Sequence, residues 1–361
     1  MLLSFLSLKI FYPLRGTRKR LGLEQEDDRI SPNASWFRGS WSRKQPDPPR
    51  CSLDVPILGE AHRHHAKISV KRKQSIFRQH YHRKDLEAIL RFSVLSSGSS
   101  GNATYLEVGG RGLLVDVGLS CRRLRGLLAR IGRDLTDVSA VLLTHGHSDH
   151  TCGVRSLLRE REVPLYAAPG VAEEVKGAAL VETGKSLDLD SLSATFFEVP
   201  HDAPTYGLRV SDGELASALA TDLGEVEPET LHFFQGADAV VLEANHDPDW
   251  LWCGPYSALL KRRVASPKGH LSNQQAAEAA LALAPHGLKD LVLAHLSKTN
   301  NSPVRACGTV RKALKGAGHD GIRVRAAIAG HPTPWVEVGE PIESREYVYR
   351  YEDGVRLFDV E

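Results

Sequence analysis

Apolar residues gather into short runs from Leu90 onward, and the spacing between them alternates between strand-like and helix-like. Residues 111–115, 140–143 and 239–242 are largely apolar stretches of four or five, the length and composition of buried strands. Residues 120–131, 172–178, 273–283 and 304–314 have helical character, and Gly and Pro mark the turns between them. Strand and helix in alternation predict an α/β domain over residues 90–361. Residues 1–89 hold neither period for long and are rich in Pro, Ser and basic side chains, the composition of a largely disordered extension. No internal repeat of fixed period is visible.

Charge sharpens that boundary. Through Ala88 there are 18 Lys and Arg against 9 Asp and Glu, which leaves 28 against 35 in the rest, so a net +9 gives way to −7. Such a basic arm reads either as a nucleic-acid-binding segment or as a solvated extension, including translation from an upstream start. Its histidines, His62, His64, His65, His80 and His82, are not completed into a metal site by any later motif. With 42% hydrophobic residues the chain can bury a sizeable core, and no apolar run approaches the roughly 20 residues that cross a bilayer. Five scattered cysteines without a Cys-x-x-Cys pair suit a reducing compartment, so a cytoplasmic protein with no membrane partner is expected. Cys152 is expected to be a small buried residue rather than a metal ligand.

The densest chemistry follows the 140–143 run, which leads straight into THGHSDH, residues 144–150. His145 and His147, two apart on an irregular turn, can converge on one ion, while Asp149 and His150 are carried round towards a neighbouring one. Three histidines and an aspartate within six positions after a buried strand are hard to explain as structural residues alone.

The motif resembles the metallo-β-lactamase superfamily, and the likeness continues in order through Asp116 in LLVDVG, His201 in VPHDA, Asp222 in ATDLG and His295 in LAHLS. The resemblance implies a four-layer αββα sandwich with a dinuclear site at one edge. It implies His145, His147 and His201 on one divalent ion, Asp149, His150 and His295 on the other, Asp222 bridging both, and Asp116 orienting the ligand loop. Zinc, manganese and iron all suit such a donor set. Two ions roughly 3.5–4 Å apart need bridging anions, and a hydroxide shared between them is the implied nucleophile.

Further stretches, FSVLSSGSSGNATYLEV, LEANHDPDWLWCGPYSALLKRRVASPKGHLSNQQAAEAA and AHLSKTNNSP, resemble the WalJ/YycJ-type branch, described as bacterial DNA exonucleases. The implied activity is a phosphodiesterase that digests DNA 5′ to 3′. Glu243 and His270 resemble the pair with which phosphodiesterase branches deliver a proton, and with Asp149 they are the expected catalytic residues. An alkoxide leaving group needs a proton, and an imidazolium held by a carboxylate supplies one. His246 is the competing donor, and His270 also reads as a neighbour of a helix cap at Ser272 or Asn273. Arg262, Lys268 and Lys298, with Lys261 and Arg263, read either as phosphate contacts or as solvated surface. Ser99 and Asn102 are candidate substrate contacts, in a loop that is equally an anion-binding concavity or an ordinary hairpin turn. No aromatic row suggests base stacking, so single- and double-stranded substrates both stay open. Two rival classes remain at this point: a thioester or lactam hydrolase, and a non-catalytic scaffold binding metal or nucleic acid.

Overall fold

The computed structural model describes residues 89–340, 349–350 and 356–357, so the expectations for residues 1–88 lie outside the described residues. Strands β1 (Arg91–Ser96), β2 (Ala103–Val108), β3 (Arg111–Val115), β4 (Val138–Leu143), β5 (Leu165–Ala167) and β6 (Ala179–Leu180) cross a first sheet in chain order. Strands β7 (Ser186–Leu189), β8 (Leu192–Glu198), β9 (Tyr206–Ser211), β10 (Ala216–Ala220), β11 (Ala239–Glu243), β12 (Asp290–Ala294) and β13 (Arg323–Ala326) do the same in a second sheet. β14 (Val336–Glu337) then returns to pair with β1. Each sheet begins antiparallel and turns parallel, from β3 to β6 in one and from β10 to β13 in the other. Parallel neighbours require crossover connections, and helices supply most of them.

Those helices are α1 (Cys121–Arg130), α2 (Ser148–Thr151), α3 (Val154–Glu160) and α4 (Val171–Glu174) in the first half. The second half has α5 (Pro228–Phe234), α6 (Pro248–Cys253), α7 (Ala258–Val264), α8 (Asn273–Leu283) and α9 (Pro303–Gly316). Side chains alternate along the central strands. Leu219, Val241 and Val292 join Phe92, Leu106 and Val141 of the first sheet in one apolar cluster, which also takes in Leu124 of α1 and Leu157 of α3. Their neighbours Ala218, Val240 and Leu291 enter a second cluster with Phe234 of α5, Ala276 of α8 and Val310 of α9. Strands apolar on both faces therefore lie between a facing sheet and covering helices, which is the expected αββα sandwich.

Local signals explain the helix ends. Ser120 caps α1 by accepting the Arg123 N–H, and Leu124 and Leu128 on its inner face are fully buried, about 1.5–3 kcal/mol each of apolar burial. Ser272 and Gln275 form a reciprocal capping box on α8, and Ser302 caps α9 just before Pro303. The helix expected at 172–178 stops at Glu174, because Val175 is extended and Gly177 takes a φ of 95°. Cys152 is exposed at the end of α2, contrary to the buried position expected for it.

Candidate metal centre

The extended backbone breaks sharply where strands reach the site. Asp116 after β3, Asp222 after β10 and His295 after β12 take φ values of 62°, 61° and 52°. Left-handed backbone costs a non-glycine residue on the order of 1–2 kcal/mol. The turn at each position directs a carboxylate or an imidazole into the space beyond the parallel strand ends. β4 ends there too, and Thr144 to His150 fold back under it into α2. The two sheets are stitched at this edge, where the Tyr206 N–H donates to the Thr144 carbonyl at 3.0 Å. A Cβ on Gly118 would fall 1.6 Å from the Asp149 carbonyl oxygen, so only glycine lets the turn after β3 lie against the ligand loop.

Seven predicted side chains meet here. His145, His147 and His201 offer ligand atoms within 4.8 Å of one another, and Asp149, His150 and His295 do the same. Asp222 belongs to a third such group with His145 and His150, and to a fourth with Glu243, His270 and His295. Asp116 accepts the Thr144 N–H at 2.9 Å through one oxygen and pairs with Nδ1 of His150 at 2.7 Å through the other, which turns Nε2 of that ring towards Asp222 at 3.2 Å. His201 donates from Nδ1 to the Gly269 carbonyl at 3.1 Å, leaving Nε2 for the site.

Nε2 of His145, Nε2 of His295 and Oδ2 of Asp222 are buried without a well-aligned hydrogen bond, although Nε2 of His150 comes within 3.2 Å of that oxygen. A buried polar atom left unpaired costs about 1–3 kcal/mol. Two imidazole nitrogens and a carboxylate oxygen in that condition form a donor set that divalent metal ions satisfy. Electrostatics agree. Burial, with His150 beside it, pushes His145 down to about 2, so its ring is neutral and able to ligate. Burial opposes the charge on His150, yet Asp116 and Asp222 raise it to about 10. His295 likewise rises well above the ordinary value against its burial, through Asp222, Asp149 and Glu243. Asp222 overcomes burial and stays well below the carboxylate range because His295 and His150 face it.

Glu243 is fully buried at the end of β11. One of its oxygens meets Nδ1 of His270 at 2.9 Å and the other accepts the Leu223 N–H at 2.9 Å. Despite burial, Glu243 and Asp222 raise the pKa of His270, whereas burial lowers His246 to about 4. Among the other expected residues, Asn102 is buried and contacts the ligand loop, with Nδ2 at 3.3 Å from Oδ2 of Asp149 and 2.8 Å from Nε2 of His150. Ser99 is exposed in the connection between β1 and β2, which is a hairpin loop lying beside the site: Ser97 accepts the His295 N–H at 2.7 Å. Arg262, Lys268 and Lys298 are exposed, and Lys298 donates to Ser100 at 3.3 Å.

One neighbour escaped the sequence reading. Asp202 stands 3.2 Å from Nε2 of His201 and 3.7 Å from Nε2 of His147, and its carboxylate also pairs with Arg263. Adjacency to His201 was its only signal.

A family model described as a beta-lactamase superfamily domain matches residues 111–296. The exodeoxyribonuclease WalJ of Streptococcus pneumoniae is 38% identical over 224 residues, covering 58% of this chain and 83% of that protein. The exodeoxyribonuclease YycJ of Bacillus anthracis is 35% identical over 241 residues, covering 63% and 90%. Among solved structures, the metallo-beta-lactamase fold protein YhfI from Bacillus subtilis superposes with a TM-score of 0.51 at 20% identity, covering 68% of this chain and 99% of that one. Yeast PDE1 superposes with a TM-score of 0.53 at 12% identity, with the same coverage. At such identities the structural likeness speaks for the fold alone.

Proposed function

The chain belongs to the beta-lactamase superfamily and is a metal-dependent hydrolase, and from that premise we propose that it is a DNA exonuclease working 5′ to 3′ with two divalent ions. The observation that carries the reading is the Glu243–His270 pair beside the ligand cluster, 2.9 Å from Oε1 to Nδ1. Lactam and thioester cleavage make weak demands on a proton donor, whereas a departing sugar alkoxide needs one. DNA as substrate is supported by two relatives named exodeoxyribonucleases.

In this reading His145, His147 and His201 hold one ion, Asp149, His150 and His295 hold the other, and Asp222 serves both. When bound, such cations would lower the pKa of a water and offset phosphate charge. His270, whose charged form burial opposes but Glu243 favours, gives its Nε2 proton to the leaving oxygen. Glu243 fixes the ring through Nδ1. His246, lowered to about 4, is neutral at pH 7 and does not compete. Arg262, Lys268, Lys298 and Ser99 receive backbone phosphates without reading base sequence.

The test incubates metal-free protein with end-labelled single- and double-stranded DNA, adding Mn²⁺ or Zn²⁺ separately. Early release of 5′ label, abolished in Asp222→Ala, is expected. Undiminished cleavage by Asp222→Ala, or hydrolysis of glutathione thioesters with no action on DNA, overturns the reading.

A further inference from the structure

His201 and Asp202 stand next to each other in the connection from β8 to β9, and both lean on the segment that follows α7 or on α7 itself. His201 gives its Nδ1 proton to the Gly269 carbonyl at 3.1 Å, and Oδ2 of Asp202 pairs with the Arg263 guanidinium. A tight return after α7 brings these two supports together. The Gly269 N–H donates to the Ser266 carbonyl at 2.8 Å, and a Cβ on Gly269 would fall 2.2 Å from the Arg263 carbonyl oxygen, so glycine is required there.

Each side chain keeps one polar atom in reserve. Nε2 of His201 lies 3.2 Å from Oδ1 of Asp202, and Nε2 of His147 lies 3.7 Å from the same oxygen. A carbonyl only accepts, so the single proton of a neutral His201 ring sits on Nδ1 and Nε2 presents a lone pair. A lone pair and a carboxylate oxygen facing each other at that distance repel unless a proton or a cation lies between them. A ligating imidazole is neutral, which removes the proton and leaves the cation. Two atoms that are each about 2.0–2.2 Å from a shared ion stand about 3–4 Å apart, the spacing of Oδ1 from both rings. Arg263 is mostly exposed, and an ion pair of that kind adds little stability. What it does is fix the carboxylate by its outer oxygen, as Asp116 fixes the His150 ring.

We propose that Asp202 is a further ligand of the ion held by His145, His147 and His201, bound through Oδ1, and that Arg263 positions it through Oδ2. The carboxylate brings negative charge to an ion otherwise served by three neutral rings and Asp222. The inference rests on the two-ion reading of the site and adds a ligand to it.

The experiment titrates metal-free, full-length protein with Co²⁺ against a chromogenic chelator and records the visible absorption of the bound ions. The parent is expected to take up two. A residue that only orients a ligand costs about 10–100-fold in metal affinity, the loss expected for one ion in Arg263→Ala, with its absorption band kept. Asp202→Ala is expected to weaken the same ion by more than about 100-fold and to shift its band, while the other ion binds as in the parent. Asp202→Asn, which keeps the size of the side chain, should weaken that ion too in protein whose metal-free melting temperature matches the parent's. If both Asp202 variants bind two ions as tightly as the parent with unchanged absorption, or lose no more than Arg263→Ala loses, Asp202 serves the ion pair alone. The inference then falls and the two-ion reading stands. A parent that takes up fewer than two ions sinks both.

Discussion

Oε1 of Glu243 lies 3.0 Å from Nδ1 of His295. The same oxygen receives His270, so a candidate metal ligand and a candidate proton donor are oriented by one buried carboxylate. Replacing Glu243 by Gln either sets an amide N–H against the Leu223 N–H or, with the amide flipped, points that N–H at Nδ1 of both rings. Glu243→Gln is expected to lower kcat about 10²–10⁴-fold and metal affinity about 10–100-fold, read from initial rates at saturating metal and from a chelator titration. An effect on metal affinity alone would separate the two roles and remove His270 from the chemistry.

Asp116 holds Thr144 and the candidate ligand His150 by hydrogen bonds. Asp116→Ala frees the His150 ring to rotate and leaves the Thr144 amide unpaired. Metal affinity is expected to fall about 10–100-fold, with activity largely recovered at high metal concentration. Failure of added metal to restore turnover, in protein that melts like the parent, would assign Asp116 a direct part in the reaction.

Ion binding should expel protons. Asp116 and Asp222 hold His150 up to about 10, so that ring is charged in the metal-free protein at pH 7, and acidic neighbours push His295 in the same direction, well above its ordinary value. A ligating imidazole must be neutral. Affinity is therefore expected to rise with pH through the neutral range. Calorimetry in two buffers of different ionisation enthalpy should report net proton release, and identical heats in both would contradict the assignment.

Far from the site, Glu107 on β2 receives Arg91 and Arg133, whose guanidinium groups lie 4.5 and 5.5 Å from the Trp335 ring. Its side chain is 5% exposed, and burial, which would raise its pKa, is overcome by the two arginines, which hold it below the ordinary value. A depressed folded pKa contributes stability above the unfolded value of about 4.3, and that contribution is lost as pH falls through the folded pKa. Glu107→Ala is expected to cost about 2–4 kcal/mol at pH 7, read from urea unfolding, and less below pH of about 4. An equal cost at both pH values would show that packing, not charge, carries the effect.

Much of this architecture was legible beforehand because it is written in dense local patterns. The strands that lead into Asp116 and end at Glu243 are largely apolar runs, and four of the seven clustered residues sit in six consecutive positions. Other features depend on chain segments remote in sequence. Asp202 reads as any polar residue until folding sets it against His147, and Asn102 reads as a loop residue until it meets Asp149. The left-handed turns at Asp116, Asp222 and His295 occur at residue types that carry no backbone signature comparable to glycine.

Those three turns set heat endurance against catalysis. Glycine would relax each of them, and asparagine would sit there more comfortably than histidine. A laboratory lineage selected only for surviving high temperature should therefore drift at these codons towards a sturdier, inert protein. One selected for turnover is expected to keep the proposed ligands Asp222 and His295 and recover its margin elsewhere in the sandwich.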